Sequence, residues 1–207
     1  MSEPVDVYLV RHGQTNLNRD KRFRGLTDVP LNDEGRREAS GAAALLADSG
    51  VSVIHSSPVP RALETSSIIA GSLDARVEED EGFTDVDYGR WHGLTVPEVT
   101  GKFGGDMVES WQRDPGGFVF PDGDAMSSVR ERLTPALERV ATGGHKSVAV
   151  VSHLAIIKIC FVAALELGFE SFWRVGLDNG SVSRFSYTPV GGFVLEWWNR
   201  VPGPERP

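Results

Sequence analysis

Apolar and polar residues follow two rhythms along this chain, one of period two or of short unbroken runs, the other of period 3.6. The first apolar run, Tyr8-Leu-Val10 within Val5–Arg11, reads as a strand buried on both faces. A basic stretch over Asn18–Pro30 breaks the pattern and is expected as a loop. From Asn32, a natural N-cap, Ala39, Ala42, Ala43 and Leu46 recur on one face and predict a helix to about Asp48. A short strand over Val51–His55 follows. Ser57-Pro58 then opens a helix to about Ala70, with proline in its first turn, and Ala75–Glu79 reads as a further strand. In the second half Met126, Val129, Leu133, Leu137 and Val140 step by three and four, the mark of an amphipathic helix. The apolar run Val148–Val151 predicts a strand, and an almost wholly apolar helix runs from His153 to about Leu167. Ser181–Tyr187 and Gly192–Trp198 form a hairpin through Pro189 and Gly191, with Trp197 and Trp198 turned to opposite sheet faces.

Alternating strands and helices predict an α/β fold. The expected form is a three-layer sandwich, a mostly parallel central sheet with helices on both faces. Residues 1–207 are expected to form one domain, with loops and short helices inserted at about 80–124. Trp91, Phe103 and Trp111 in that insertion look exposed by sequence. With Phe118 they are expected to pack as a local minicore rather than line a pocket.

Composition narrows the function classes. The chain has 207 residues, and 21 Lys and Arg against 29 Asp and Glu leave a net charge of −8. That balance disfavours general binding to nucleic acid or to an anionic membrane, so neither is expected as a partner. The single cysteine, Cys160, lies in the apolar run Ile156-Ile-Lys-Ile-Cys-Phe-Val and reads as a core residue. The start, Met1-Ser-Glu-Pro4, carries no basic and apolar leader, and a cytoplasmic protein is expected. The terminal hairpin has one face to spare for a helix or a second copy of the chain, which leaves a homodimer open.

Chemistry concentrates at two strand tips. The first strand ends in Arg11-His12-Gly13, and Val148–Ser152 ends in His153 before a helix. Open α/β sheets bind ligands at such carboxyl ends. Two histidines facing each other beside Arg11 suit a tetrahedral dianion. His55, His92 and His145 have no comparable setting.

These residues belong to a longer series of motifs. Leu9-Val-Arg-His-Gly-Gln-Thr-Asn-Leu-Asn18, Arg22-Phe-Arg-Gly25, Ser57-Pro-Val-Pro-Arg-Ala-Leu-Glu-Thr65, Tyr88-Gly-Arg-Trp-His-Gly-Leu94, Val151-Ser-His153 and Asp178-Asn-Gly180 occur in order. Together they resemble the histidine phosphatase superfamily, in its phosphoglycerate mutase-like branch, over about Val5 to Tyr187. The resemblance implies a phosphohistidine on His12, phosphate binding by Arg11, Arg61, Asn18 and His153, and His153 as a donor to the transferring group. It implies no metal and no cofactor, because arginines and imidazoles carry the charge. Where the family generally has a glutamate just before the Gly-x-Trp-x-Gly segment, this chain has Asp85, shorter by one methylene, about 1.5 Å. Asp85 is the expected proton donor, with Asp87 and the more distant Glu81 as competitors. Arg24 and Gly25 are expected to meet substrate, unless Lys21–Gly25 is only a solvated basic turn. Gln14 replaces a commoner glutamate, and Leu154 stands where relatives have glycine.

Three functions fit this reading: a phosphomonoesterase acting on a small phosphorylated metabolite, a phosphoglycerate mutase using the same phosphohistidine, and a phospho-ligand binding module that has lost catalysis. The insertion is short and has few cations to grip a second acidic group, which favours the phosphatase.

Overall fold

Every side chain from Val7 to Arg11 is buried. The strand that carries them, β1 (Val5–Arg11), runs inside a sheet covered on both sides. The computed structural model describes residues 3–202; Met1, Ser2 and residues 203–207, which complete the expected 1–207 domain, lie outside the described residues. After β1 come helices α1 (Asn16–Arg19) and α2 (Asp33–Leu46), strand β2 (Val53–Ser56), helix α3 (Pro60–Leu73) and strand β3 (Arg76–Glu79). Two 3-10 turns, Glu81–Phe83 and Gly89–Trp91, and helices α4 (Val96–Phe103) and α5 (Gly105–Arg113) fill the insertion. Helix α6 (Met126–Thr142), strand β4 (Ser147–Ser152), helix α7 (Leu154–Ala164), a 3-10 turn at Phe169–Ser171 and the hairpin of β5 (Val182–Thr188) and β6 (Gly192–Arg200) complete the chain.

The sheet has six strands in the order β3-β2-β4-β1-β5-β6. The first four are parallel, and β5 and β6 add antiparallel to one side. This is the mostly parallel α/β sandwich that the alternation of elements implies. Alternate residues of β1 serve the two cores. Tyr8 and Val10 pack with Ala42, Leu46, Ala62 and Ile69 of α2 and α3. Val7 and Leu9 pack with Leu133, Leu137, Ile156 and Cys160 of α6 and α7. Trp197 joins the first core and Trp198 the second, one ring to each face.

Three local expectations are corrected. Helix α3 begins at Pro60, not at Ser57-Pro58, with Val59 extended as its N-cap (φ −69°, ψ 131°). The cause is the second proline, since a residue before proline is pushed out of the helical region. Where the Asn18–Pro30 loop was expected to begin, the chain makes one helical turn, Asn16–Arg19. Thr15 and Asn18 close it as a reciprocal capping box. The minicore expected around Trp91 is not local: Trp91, exposed-looking by sequence, is fully buried. Its ring packs against Phe23, Trp111, Phe118 and Phe120, and this cluster is continuous with the α6–α7 core. Among the described residues no helix is long and apolar enough to cross a membrane.

Candidate functional site

Strands β1 and β4 are parallel neighbours, with Arg11 opposite Ser152. Their carboxyl ends therefore release His12 and His153 side by side, with ring centroids 5.2 Å apart. The two exits are tied together by the His12 amide, which donates to the Ser152 carbonyl at 2.9 Å.

The hydrogen bonds of His12 set its tautomer. Nδ1 lies 2.6 Å from the Gly13 carbonyl, which can only accept, so Nδ1 carries the proton. Nε2 keeps its lone pair and accepts from Arg61 Nε at 3.3 Å. Burial holds His12 well below the ordinary imidazole range, and the charges of Arg61, Arg11 and Arg24 push the same way. The ring is thus neutral, with one nitrogen available as a nucleophile.

Arg61, one residue into α3, is fully buried and its other donors are engaged. Nη1 donates to the Thr27 carbonyl at 3.0 Å; Nη2 donates to the Gly25 carbonyl and to Asp85 Oδ2, both at 2.7 Å. One turn later Thr65 Oγ1 donates to the Arg61 carbonyl at 2.8 Å and accepts from the Gly13 amide at 3.1 Å. That hydroxyl fastens α3 to the tip of β1.

Asp85 is buried between Arg61 and His153. Its Oδ2 lies 3.5 Å from His153 Nδ1, and its Oδ1 accepts from the Val86 amide at 2.9 Å. Burial raises its pKa, against the opposing pull of Arg61 and Arg24. Burial likewise lowers Arg61 in spite of the ion pair. A guanidinium is by far the stronger base, so Asp85 is the member of the pair that gains and loses a proton. His153 is held neutral by burial, with Arg61 and His12 adding to the effect. Its Nε2 meets Ser57 Oγ at 2.7 Å, while its Nδ1 has no hydrogen-bond partner.

Two cations stand in front of this group. Arg11 donates through Nη1 to the Leu177 carbonyl at 2.6 Å, and Arg24 through Nη1 to the Arg22 carbonyl at 3.1 Å. The Nε atoms of both are buried without a partner among the described residues. Burial, reinforced by Arg24, draws Arg11 down to about 10, which leaves it charged at neutral pH. Both arginines, Asn18 and Leu154 belong to the wall of a cavity of about 280 Å³. His12, Arg61, Asp85 and His153 are buried rather than part of that wall.

The structure thus gathers Arg11, His12, Arg24, Arg61, Asp85 and His153 in one place. Asn18 lines the cavity, with its Oδ1 occupied by the Thr15 amide and hydroxyl. Gly25 contributes only its backbone, through the carbonyl that holds Arg61. Arg22 is committed to Glu98 and the Gly93 carbonyl, both at 2.7 Å. Asp87 turns away from the histidine pair to the Gly89 amide and to His92. Glu81 is exposed and accepts from Thr84 Oγ1. Gln14 is bonded to Asn32 and Glu38. Aromatics of the insertion divide their duties: Trp91 and Phe118 pack inward, whereas Trp111 faces the cavity.

Sequence reasoning missed Ser57, Thr65, Tyr88 and Lys158 as individual site residues. Ser and Thr carry no signal of their own inside a helix-opening motif. Lys158 did carry one, as a lone cation within the otherwise apolar Ile156–Cys160 stretch.

The family model described as "Histidine phosphatase superfamily (branch 1)" matches residues 7–200. Phosphoserine phosphatase 1 of Hydrogenobacter thermophilus is 32% identical over 86% of this chain and 85% of its own length. The 2,3-bisphosphoglycerate-dependent phosphoglycerate mutase 2 of Gloeobacter violaceus is also 32% identical, over 90% and 88%. Against mycobacterial relatives of the same identity, the chain spans 54% of their length. Among solved structures, a mycobacterial glucosyl-3-phosphoglycerate phosphatase in complex with VO3 superposes with a TM-score of 0.84 at 26% identity, covering 94% of this chain and 99% of that one.

Proposed function

The chain belongs to branch 1 of the histidine phosphatase superfamily, and from that premise we propose that it is a metal-independent phosphomonoesterase working through a phosphohistidine on His12. The observation that carries the reading is the fixed tautomer of His12, whose Nε2 lone pair sits among Arg61, His153 and Asp85.

The chemistry follows from the positions. The phosphoryl group of a monoester is met by Arg11 and Arg24, whose unpartnered Nε atoms donate to its oxygens, and by Nδ1 of His153. Nε2 of His12 attacks phosphorus and the bond to the ester oxygen breaks. Asp85, whose acid form burial favours, gives a proton to the departing alkoxide. The product is phosphohistidine, with Nδ1–H still anchored on the Gly13 carbonyl. The Asp85 carboxylate then takes a proton from water as the water oxygen attacks phosphorus. Inorganic phosphate leaves and His12 is regenerated.

A mutase would use the same groups and return the phosphoryl group to a hydroxyl of the ligand. The likeness to a mutase favours that second reading. Against it, none of the insertion's cations, Arg90, Lys102 and Arg113, lines the cavity. The binding-module reading has no support in the position of Asp85, which lies beside both His153 and Arg61. Action on a small phosphorylated metabolite in the cytoplasm, with no nucleic acid or membrane as partner, completes the proposal; the net charge of −8 supports it.

The test is phosphate release from a panel of phosphomonoesters in the presence of a chelator, wild type beside His12→Ala. Release by the wild type alone supports the proposal. Isomerised ester without free phosphate points to the mutase, and release that requires added metal overturns the reading.

A further inference from the structure

The cavity in front of the histidine pair is lined by more cations than phosphoryl transfer uses. Among the described residues five cations line the cavity, Arg11, Lys21, Arg22, Arg24 and Lys158, and no carboxylate does. In a chain of net charge −8 that is a local reversal of sign. Arg22 is neutralised by Glu98. Arg24 belongs to the phosphoryl end, since its charge bears on His12, Arg61, Asp85 and His153. Lys158 lines the same cavity from α7 and feels the charge of Arg11, so it stands within reach of the phosphoryl end without belonging to the group around His12.

Lys158 is 7% exposed and sits among apolar residues of α7. Among the described residues it makes no ion pair; what it has are ring faces, with Nζ 5.2 Å from the Phe172 centroid and 5.3 Å from that of Trp173. An ammonium buried without a carboxylate is costly to the fold, and ring faces offset only part of that cost. Burial accordingly pulls its pKa down. The residue also has a defined reach. Five positions after His153, its Cα lies about 7.5 Å further along the helix axis.

Taking the phosphatase reading as its basis, we propose that Lys158 is a specificity-determining residue that binds a second anionic group, a carboxylate, on the phosphomonoester substrate. The carboxylate pairs with the Lys158 ammonium at the cavity wall, where the ring faces of Phe172 and Trp173 now hold it. The preferred substrate is therefore an acidic phosphomonoester, not a neutral sugar phosphate.

The experiment compares 3-phosphoglycerate with glycerol 3-phosphate, which differ only in a carboxylate against a hydroxymethyl group. The quantity read is the ratio of their kcat/KM values, which a general loss of activity leaves alone. The wild type should favour the carboxylate by about tenfold or more, Lys158→Met should bring the ratio close to one, and Lys158→Arg should retain part of it. A wild-type ratio near one, or a ratio that survives Lys158→Met, overturns the proposal. Should the wild type turn over neither these two esters nor any of the phosphomonoester panel, the phosphatase reading fails by itself. Calorimetry with 3-phosphoglycerate then decides the Lys158 site: binding weakened about tenfold by Lys158→Met supports it, and equal binding by both proteins overturns it.

Discussion

Arg61 Nε donates to His12 Nε2 across 3.3 Å, so the arginine rests on the nitrogen that must attack phosphorus. The same guanidinium holds Asp85 at 2.7 Å through Nη2. Nucleophile and acid are thereby joined through one fully buried side chain. A phosphoryl group that reaches Nε2 replaces the first bond and shares the positive charge that restrains the second. Its arrival raises the pKa of Asp85 further, which favours the acid form at the moment the leaving group needs a proton.

Asp85→Asn keeps the side-chain size and removes the proton. For esters of ordinary alcohols, kcat should fall by about 10²- to 10⁴-fold. For p-nitrophenyl phosphate, whose leaving group departs without protonation, the loss should be much smaller. Steady-state kinetics on the two ester types checks this. Equal losses would place the proton donor elsewhere.

His12 and His153 are both held neutral by burial, with folded-state pKa values well below the ordinary 6.5. The unfolded chain takes up protons at each site before the folded one does. Their contribution to stability is therefore present above about pH 6.5 and is lost as pH falls below it, by up to about 1.4 kcal/mol per pH unit for each ring. Urea unfolding at about pH 7.5 and about pH 5.5 should show this loss, and it should shrink in His12→Ala. An unchanged pH dependence in that variant would contradict the buried neutral state.

Gly25 adopts φ +48°, and a Cβ there would lie 2.1 Å from His92 Nε2 and 2.7 Å from the Val86 carbonyl. Its own carbonyl anchors Arg61. Gly25→Ala should cost about 2 kcal/mol or more in stability. It should also lower kcat, because moving that carbonyl releases the arginine behind His12. Denaturant titration alongside kinetics checks both effects.

The sheet and its covering helices could be read from the sequence because β1 and β4 are unbroken apolar runs and α2 and α6 have clear apolar faces. His12 and His153 were legible as strand-tip residues, and Asp85 as the carboxylate beside the Gly89–Gly93 segment. What stayed hidden depends on distant contacts. Val59 gives no local sign that Pro60, and not Pro58, starts α3 until the effect of the second proline is weighed. The burial of Trp91 depends on Phe23 and Phe120 from other parts of the chain. The commitment of Arg61 to Gly25, Thr27 and Asp85 could not be foreseen, because its motif implied only that it meets phosphate. Lys158 was visible as an anomaly in an apolar helix, but its exposure to the cavity depends on where α7 packs.

The most direct test of the account is chemical trapping of the intermediate. Wild-type protein mixed rapidly with a radiolabelled phosphomonoester and quenched should carry label that survives base and is lost in acid, as a phosphohistidine does. Peptide mapping should place that label on His12, and His12→Ala should carry none. Phosphate release by the wild type with no labelled protein at any time, or label on His12→Ala, would contradict it.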